Sequence, residues 1–204
     1  MKLETLNMVG SLRAISPRGL MAGLFLCLTL TVMSQTTMCD VFKQMPDSIV
    51  PYLTENNRLD FIDFIDSNMK AEVTNAFGGK SEMQKLTDDY LSLHLNAAAS
   101  IEMRLLDVKE PVDSASRIVC LVSTLGSDVR ESKVAFFSLK WKPLPTERYV
   151  QLPAEMFVAK LSDQEPTLTV TRVYKLDVPA NEEQKTLPET STILKWAGVF
   201  VNNN

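Results

Sequence analysis

The chain has 204 residues, of which 45% are hydrophobic and 23% are charged, and its formal net charge is −4. This composition is that of an ordinary globular protein and excludes disordered and collagen-like chains. There is one histidine, His94, and there are three cysteines, Cys27, Cys39 and Cys120. One copy therefore lacks the ligands for a two-histidine zinc helix, a four-thiolate zinc site or a four-cysteine iron–sulfur cluster. We expect no metal centre and no cofactor.

Residues 1–34 are typical of a secretory signal peptide. The apolar run at 19–33 has 15 residues, fewer than the roughly 20 that a membrane-spanning helix needs. Ser34 is a small residue suited to cleavage. We predict an exported protein, most simply periplasmic and alternatively on the outer surface, with no transmembrane span after cleavage. The positive charges that precede the apolar run are Lys2, Arg13 and Arg18.

An uncleaved anchor and a lipoprotein are the alternatives for this N-terminal segment. A lipoprotein carries its lipid on a cysteine directly after the cleavage site. Cys27 lies inside the apolar run, and Cys39 follows the bulky Met38, which disfavours cleavage there. Neither cysteine therefore fits a lipid anchor.

Removal of residues 1–34 makes the chain more acidic. The segment holds three basic residues and one acidic residue, so 18 basic and 24 acidic residues remain and the net charge becomes −6. This charge disfavours nucleic acid and anionic membranes as partners. Cys39 and Cys120 also remain and could pair in an oxidising compartment. Because Cys120 lies in the apolar run 118–122, a buried free thiol is favoured there.

The remaining segment, 35–204, has the length of a single domain, and its first part has a helical pattern. Asp40 is the predicted cap of a short helix over 41–45, and Thr54 or Asn56 is the predicted cap of a longer one that ends near Asn68. The side chains predicted to face the core recur at steps of three or four: Leu59, Ile62, Ile65 and Met69, with Phe61 and Phe64 beside them.

From residue 73 the pattern alternates with period two, and Gly78–Gly79 predicts a hairpin. The segment 117–124 is apolar on both faces and is predicted to be a central strand. Pro153 begins a predicted short helix over 154–161. We therefore predict an α+β fold, with N-terminal helices packed on a mostly antiparallel twisted sheet, as a single domain over 35–204. The other predicted strands are 90–96, 101–105, 134–141, 167–176 and 193–201.

The stretch MPDSIVPYLTENNRLDFIDFIDSNMKAEVTNAFGGKSEM at 45–83, followed by LTDDYLSLHL at 86–95, resembles a family of exported proteins from Gram-negative gut and oral anaerobes. That family is classed as a domain of unknown function. The resemblance implies an exported single-domain protein over most of the mature chain. It implies no catalytic residue, cofactor or substrate.

Aromatic and basic residues alternate near residue 140 and form a candidate ligand-binding group. Aromatic faces beside polar groups stack on sugars or hold peptides. The alternative follows from period two, which places Trp141 in the core and its lysine neighbours in solvent, where they discourage pairing of an edge strand. The candidate ligand-binding residues are Lys140, Trp141, Lys142 and Tyr149.

Two acidic groups are weaker candidates. Asp60, Asp63 and Asp66 could bind calcium, but their spacing also places them on the solvated face of a helix, which we favour. Asp88 and Asp89, with Glu82, could form an acid pair for glycoside hydrolysis. Adjacent strand residues point to opposite faces, so a turn before the strand at residue 90 is the favoured interpretation.

His94 is the remaining candidate for catalysis. Ser92 shares its face of the predicted strand, but residues two apart lie roughly 6.6 Å apart along a strand, whereas a nucleophile and its base need contact at about 3 Å. A pair of His94 with Cys39 or Cys120 stays open. We predict no catalytic residue, and we favour a non-enzymatic module that binds a protein, peptide or glycan of the cell envelope. The alternative is a small hydrolase that uses carboxylates or the Cys120/His94 pair.

Overall fold

The computed structural model describes residues 35–173 and 190–202, which form two antiparallel sheets preceded by two short helices. The helices are α1 (Met38–Lys43) and α2 (Glu55–Asp66). The first sheet has seven strands in chain order, and the second has four in the order β11, β10, β9, β8. The strands are β1 (Glu72–Thr74), β2 (Lys80–Leu86), β3 (Tyr90–Asn96), β4 (Ala99–Val112), β5 (Ala115–Leu125), β6 (Glu131–Ser138), β7 (Pro143–Leu144), β8 (Phe157–Leu161), β9 (Thr167–Arg172), β10 (Ser191–Trp196) and β11 (Phe200–Asn202).

Both helices begin at a threonine whose side chain caps the first turn. The side chains of Thr37 and Thr54 each accept a hydrogen bond from the backbone N–H of the third helical residue. The side chain of that residue in turn accepts a hydrogen bond from the threonine N–H. Such reciprocal caps satisfy donors that a helix leaves unpaired. Thr54 confirms the predicted start of α2. The predicted cap at Asp40 was wrong, because Asp40 is the third residue of α1 and its carboxylate accepts the Thr37 N–H at 3.0 Å.

The buried face of α2 is rotated from the predicted one. Phe61 and Ile62 are buried, whereas Leu59 and Met69 are 39% and 58% exposed. Arg58 is buried instead, where its guanidinium donates to Asp47 at 2.7 Å and to the Leu53 carbonyl at 2.9 Å. A paired guanidinium with an apolar stem can occupy a core-facing position, and periodicity of apolar residues alone does not reveal it.

Both faces of the seven-stranded sheet pack against other elements. One face packs on α1 and α2, and the other packs on the second sheet. In β5, Val119 and Leu121 point toward the helices, while Ile118, Cys120 and Val122 point toward the second sheet. Since successive side chains of a strand point to opposite faces, β5 has an apolar layer on each side, and its predicted central position is confirmed.

The predicted α+β class was wrong, because the described residues are mostly antiparallel β and contain only two short helices. The predicted helix at 154–161 is the strand β8, which pairs with β9. The predicted final strand at 193–201 is two strands, β10 and β11, that turn at Gly198 with φ +93°. The two corrected segments supply β8, β10 and β11, which together with β9 form the second sheet. The aromatic and β-branched residues Phe157 and Val158 suit a strand, and pairing with β9 decides in its favour.

Two further predictions concern segment ends. The strand predicted over 134–141 ends at Ser138, and the chain turns there with Trp141 at φ +60°. The predicted signal peptide at 1–34 and residues 174–176 of a predicted strand lie outside the described residues. Within the described ranges, we find no helix with the length and apolarity to cross a membrane.

Gly126 offers a test of the β5–β6 connection. Its φ is +113°, and a Cβ there would lie 1.9 Å from the carbonyl oxygen of Val129. We expect Gly126→Ala to lower the free energy of unfolding by at least about 2 kcal/mol, measured by urea denaturation. The control is Gly79→Ala, where the nearest atom would lie at 3.4 Å and a loss below about 1 kcal/mol is expected. Equal losses would contradict this description of the loop.

Candidate functional site

The second sheet covers only part of the face on which it packs. Its edge strand β8 lies over β4, β5 and β6, so none of the described strands lies above the corresponding face of β2 and β3. A cleft of about 690 Å³ opens at this boundary. The face of β2–β4 forms one wall, and β8 and β9 form the other. We call it the inter-sheet cleft.

Strand register places polar side chains together in the inter-sheet cleft. His94 of β3 is paired with Ser100 of β4, which is paired with Thr124 of β5. One row along, Ser92 is paired with Glu102. Directly paired residues of antiparallel strands point to the same face. An imidazole, three hydroxyls and a carboxyl therefore line one wall.

The edge of β8 is held by side chains of the first sheet. The Leu161 N–H donates to Oε2 of Glu102 at 2.7 Å, and the Ala159 N–H donates to Oγ of Ser132 at 2.9 Å. Ser132 Oγ also lies 2.7 Å from Oγ1 of Thr124. An open strand edge invites pairing with other chains. Here two of its donors are satisfied internally, so the cleft at β8 is not shaped for an added strand.

Burial shifts the pKa of two titratable groups at the base of the inter-sheet cleft, Glu102 and Tyr90. Burial raises the pKa of the Glu102 carboxyl, although the hydrogen bond from the Leu161 N–H and the positive charge of Lys160 act in the opposite direction. Burial also raises the pKa of Tyr90 to about 12, with the charge of Glu102 as a second cause. Tyr90 is therefore neutral at physiological pH, and Glu102 takes up a proton more readily than an exposed glutamate.

One ion pair and one hydrogen bond from a buried arginine fasten the β8–β9 hairpin to the first sheet. Lys85 of β2 pairs with Asp163 in the hairpin loop and lowers the pKa of that carboxyl. The buried Arg104 donates to Asp89 at 2.7 Å and to the carbonyl of Ser162. These contacts join residues far apart in the chain, so they fix the distance between the two walls.

A second crevice of about 520 Å³ lies between residues 147–151 and β11. The Phe200 N–H donates to the Tyr149 carbonyl at 2.7 Å across it. Leu194, Val199 and Val201 contribute apolar lining. This terminal crevice is smaller than the inter-sheet cleft and has fewer polar residues in its lining.

A family model described as a protein of unknown function, DUF3256, matches residues 29–195 of the chain. The chain belongs to this family. The sequence resemblance to a domain of unknown function is thereby confirmed. A search of curated proteins finds no match.

A solved structure supports the fold of this DUF3256 protein. It is a domain of an uncharacterized protein from Porphyromonas gingivalis W83, with 20% sequence identity and a TM-score of 0.68. The alignment covers 82% of the present chain and 98% of the other. At this identity the similarity shows the fold alone.

The candidate ligand-binding group of this DUF3256 protein is divided between two buried clusters. Trp141 is 5% exposed in the helix-side cluster, where its Nε1–H donates to the Val41 carbonyl at 3.0 Å. Tyr149 is 4% exposed in the cluster between the sheets, with its ring centroid 4.9 Å from that of Phe136. Lys140 is exposed on the turn, and Lys142 pairs with Asp113 at 3.2 Å. The fold does not bring the two rings together.

The acidic candidates are also placed apart from the inter-sheet cleft. The three aspartates of α2, Asp60, Asp63 and Asp66, are exposed, and no acidic, histidine or cysteine cluster among the described residues could hold a metal ion. Asp88 and Asp89 form the predicted turn before β3. Asp89 binds Arg104, whereas the Asp88 carbonyl accepts the Met38 N–H at 2.7 Å.

Neither Cys39 nor Cys120 lies in contact with His94. Cys39 packs against the helix-side cluster, and Cys120 is buried on the opposite face of the first sheet. Both are free thiols, so the predicted buried free thiol at Cys120 is confirmed. Burial raises the pKa of Cys120. Cys120 is paired in register with Arg104, two rows away from the pair of His94 and Ser100.

Sequence reasoning placed Ser92 and His94 on one face but missed their partners in the cleft. Glu102 alternates with apolar residues in the sequence, and nothing in that pattern indicates that its carboxylate accepts the Leu161 N–H of a distant strand. Lys160 was assigned to a helix. The signal available in the sequence was the alternation in residues 100–104, which places Ser100, Glu102 and Arg104 on one face. Their partner strand β8 was not predicted.

Glu102 gives the inter-sheet cleft a testable dependence on pH. A raised carboxyl pKa means that the folded state binds a proton more tightly than the unfolded state. The resulting stabilisation is present below the ordinary pKa of 4.5 and is lost as the pH rises through the folded pKa. We expect Glu102→Gln, which keeps an acceptor for Leu161, to be at least as stable as wild type at about pH 7.

Urea denaturation at several pH values measures this effect. Above pH 4.5 the stability of wild type should fall relative to that of Glu102→Gln. Glu131→Gln, which changes an exposed carboxylate on β6, is the control and should keep the wild-type dependence. A clear loss of stability in Glu102→Gln at neutral pH would show that the ionised carboxylate stabilises the fold.

Proposed function

We propose that this chain is an exported, non-enzymatic module that binds a protein segment, peptide or glycan of the cell envelope in the inter-sheet cleft. Export is inferred from the signal-like sequence of residues 1–34, with the periplasm as the expected location and the outer surface as the alternative. The observation that carries the proposal is the alignment of His94, Ser100 and Ser92 on a part of the first sheet that no described strand covers.

The size and chemistry of the inter-sheet cleft support binding of a polar ligand. A volume of about 690 Å³ falls in the range of small-ligand sites, roughly 300–1,000 Å³. The wall offers hydroxyls and an imidazole, which donate and accept hydrogen bonds. Apolar contact comes from the half-buried Val158 on the opposite wall. Such mixed walls suit a peptide backbone or a sugar, whose polar and apolar groups alternate.

The geometry favours binding over catalysis. Ser92 and His94 are two residues apart on β3, and their side chains point the same way side by side, which does not aim the imidazole at the hydroxyl. Glu102 accepts the Leu161 N–H at 2.7 Å and so holds the fold. Cys120 is fully buried beneath the second sheet, where neither substrate nor water reaches it.

A hydrolase that uses carboxylates is the second candidate, and one observation favours it. Glu102 lies in the inter-sheet cleft, and burial raises the pKa of its carboxyl. A carboxyl with a raised pKa in a cleft is typical of a general acid. Its nearest acidic neighbour in the lining is Asp163, which is held by Lys85. A reaction would need that ion pair to open.

Binding to a panel of short peptides and oligosaccharides tests the proposal. Calorimetric titration should find at least one ligand for the protein purified after expression of the full chain. Ser100→Phe places a ring in the inter-sheet cleft and should abolish that binding while the unfolding midpoint stays close to wild type. Lys133→Phe adds the same ring at an exposed position on the other face of the sheet and should bind normally. Binding that survives in Ser100→Phe would overturn the proposed site.

A further inference from the structure

The lining of the inter-sheet cleft contains cations without an anionic partner. Lys85 is paired with Asp163. Arg130 and Lys160 also line the cleft and are exposed. Among the described residues, neither forms an ion pair within 4.0 Å, in contrast to most other arginines of the chain, such as Arg104 and Arg148. Their charges are therefore available to a ligand.

The acidic groups near the cleft cancel only part of this charge. The lining holds three cations, Lys85, Arg130 and Lys160, and two carboxylates, Glu102 and Asp163. Lys160 acts on the Glu102 carboxylate, one oxygen of which accepts the Leu161 N–H. Asp163 is neutralised by Lys85. Glu82 is paired in register with His94, but its carboxylate lies 3.5 Å from the ammonium of Lys70, on the side of β1. The cleft therefore has a surplus of positive charge on a chain whose net charge is −4.

The position of Arg130 favours its use by a ligand. It lies directly before β6, and Ser132, two residues further, points to the side of the second sheet and binds Ala159. Alternation along an extended chain places Arg130 on the same side and Glu131 on the opposite one. The Gly126 N–H donates to the Ala98 carbonyl at 2.8 Å. This hydrogen bond joins the β5–β6 loop to the start of β4 and holds the loop next to Ser100.

We propose that the inter-sheet cleft recognises a carboxylate group of its ligand, with Arg130 and Lys160 as the cations that receive it and His94 and Ser100 as neighbouring hydrogen-bond donors. This inference rests on the proposed binding function and adds the chemical class of the ligand. A guanidinium presents two parallel N–H groups that match a carboxylate, and an ammonium adds a point charge. The carboxylate belongs to a peptide terminus, an acidic side chain or an acidic sugar.

Two matched pairs of probes test the charge and its source. N-acetyl-triglycine is compared with its amide, and tri-galacturonate with its methyl ester, by calorimetric titration of the protein purified after expression of the full chain. In at least one pair the carboxylate should bind about tenfold more tightly than the neutral probe. The preference should shrink as the salt concentration rises. The pair that shows it identifies a peptide or a sugar source.

Charge-neutralising variants locate the effect. Arg130→Gln and Lys160→Gln should each reduce the preference for the carboxylate over the neutral probe. Lys140→Gln removes an exposed cation outside the cleft and should keep the wild-type preference for the carboxylate. Equal binding of both members of each pair would overturn the carboxylate inference and leave the binding function standing. A preference unchanged in both cleft variants would also overturn it, and no binding of any probe, together with failure of the ligand panel, would overturn both.

Discussion

Replacement of Trp141 by alanine is expected to lower the free energy of unfolding by about 3–5 kcal/mol, as for other large-to-small changes of buried aromatic residues. The indole is 5% exposed, packs on Phe137 at a centroid distance of 5.4 Å, and donates to the Val41 carbonyl of α1 at 3.0 Å. Alanine at φ +60° has the same left-handed backbone, so the difference measures the side chain. Urea denaturation followed by far-UV circular dichroism gives the value.

Two controls separate this structural role from ligand binding. Trp141→Phe keeps an aromatic ring, although a smaller one, and removes the N–H donor. A loss of about 1–2 kcal/mol is expected because the Val41 carbonyl loses a partner. Lys140→Ala, at the exposed neighbouring position, should change stability by less than about 0.5 kcal/mol. A Trp141→Ala variant as stable as wild type would show that the tryptophan does not join α1 to the sheet.

Asp89→Asn is expected to cost about 3 kcal/mol, because it leaves the guanidinium of Arg104 buried without its counter-charge. The Arg104 side chain is only 4% exposed, whereas that of Asp89 is 37% exposed. Removal of the cation should therefore cost less than removal of the anion, since an unpaired Asp89 is still hydrated. We expect about 1–2 kcal/mol for Arg104→Met, and the double variant should recover most of the loss from Asp89→Asn.

The four proteins of this cycle are compared by urea denaturation at one pH and salt concentration. Asp88→Asn, which changes the exposed neighbour in the same turn, is the matched control and should stay within about 0.5 kcal/mol of wild type. If Arg104→Met cost more than Asp89→Asn, the hydrogen bond to the Ser162 carbonyl rather than the buried charge would dominate the interaction.

The local sequence pattern was sufficient to predict the strands in which apolar and polar side chains alternate strictly. The predicted strand 90–96 coincides with β3, because Leu91, Leu93 and Leu95 are buried while Ser92 and His94 face the other side. Thr54 was one of two residues predicted to cap α2, the other being Asn56, and a cap can be predicted because its hydroxyl acts within four residues. In both cases the deciding interactions are local in the chain.

Elements decided by distant partners could not be predicted. The segment 154–161 mixes helix-forming and strand-forming residues, and β8 forms there because β9 pairs with it and because Ser132 and Glu102 satisfy its edge. Glu102 and Leu161 are 59 residues apart. No periodicity in either segment encodes that contact, so neither the second sheet nor the cleft beside it was predicted.

The same limit applies to the site residues. Trp141 and Tyr149 are eight positions apart, and their aromatic character beside basic residues suggested one surface. The chain crosses from one face of the first sheet to the other between them, so the rings belong to different clusters. Ser92 and His94 were correctly placed on one face, but Ser100 and Glu102 join them only through the register of β3 with β4.

Chemical-shift mapping tests binding in the inter-sheet cleft most directly. The tightest ligand from the panel is titrated into ¹⁵N-labelled protein, and the spectrum of the ligand is followed in the same sample. Binding without catalysis in this cleft predicts that the perturbed amides cluster around Ser92, Ser100 and Leu161 and that the ligand stays chemically intact. Perturbations centred on residues 147–151 and Asn202 of the terminal crevice, or the appearance of cleaved ligand, would contradict it.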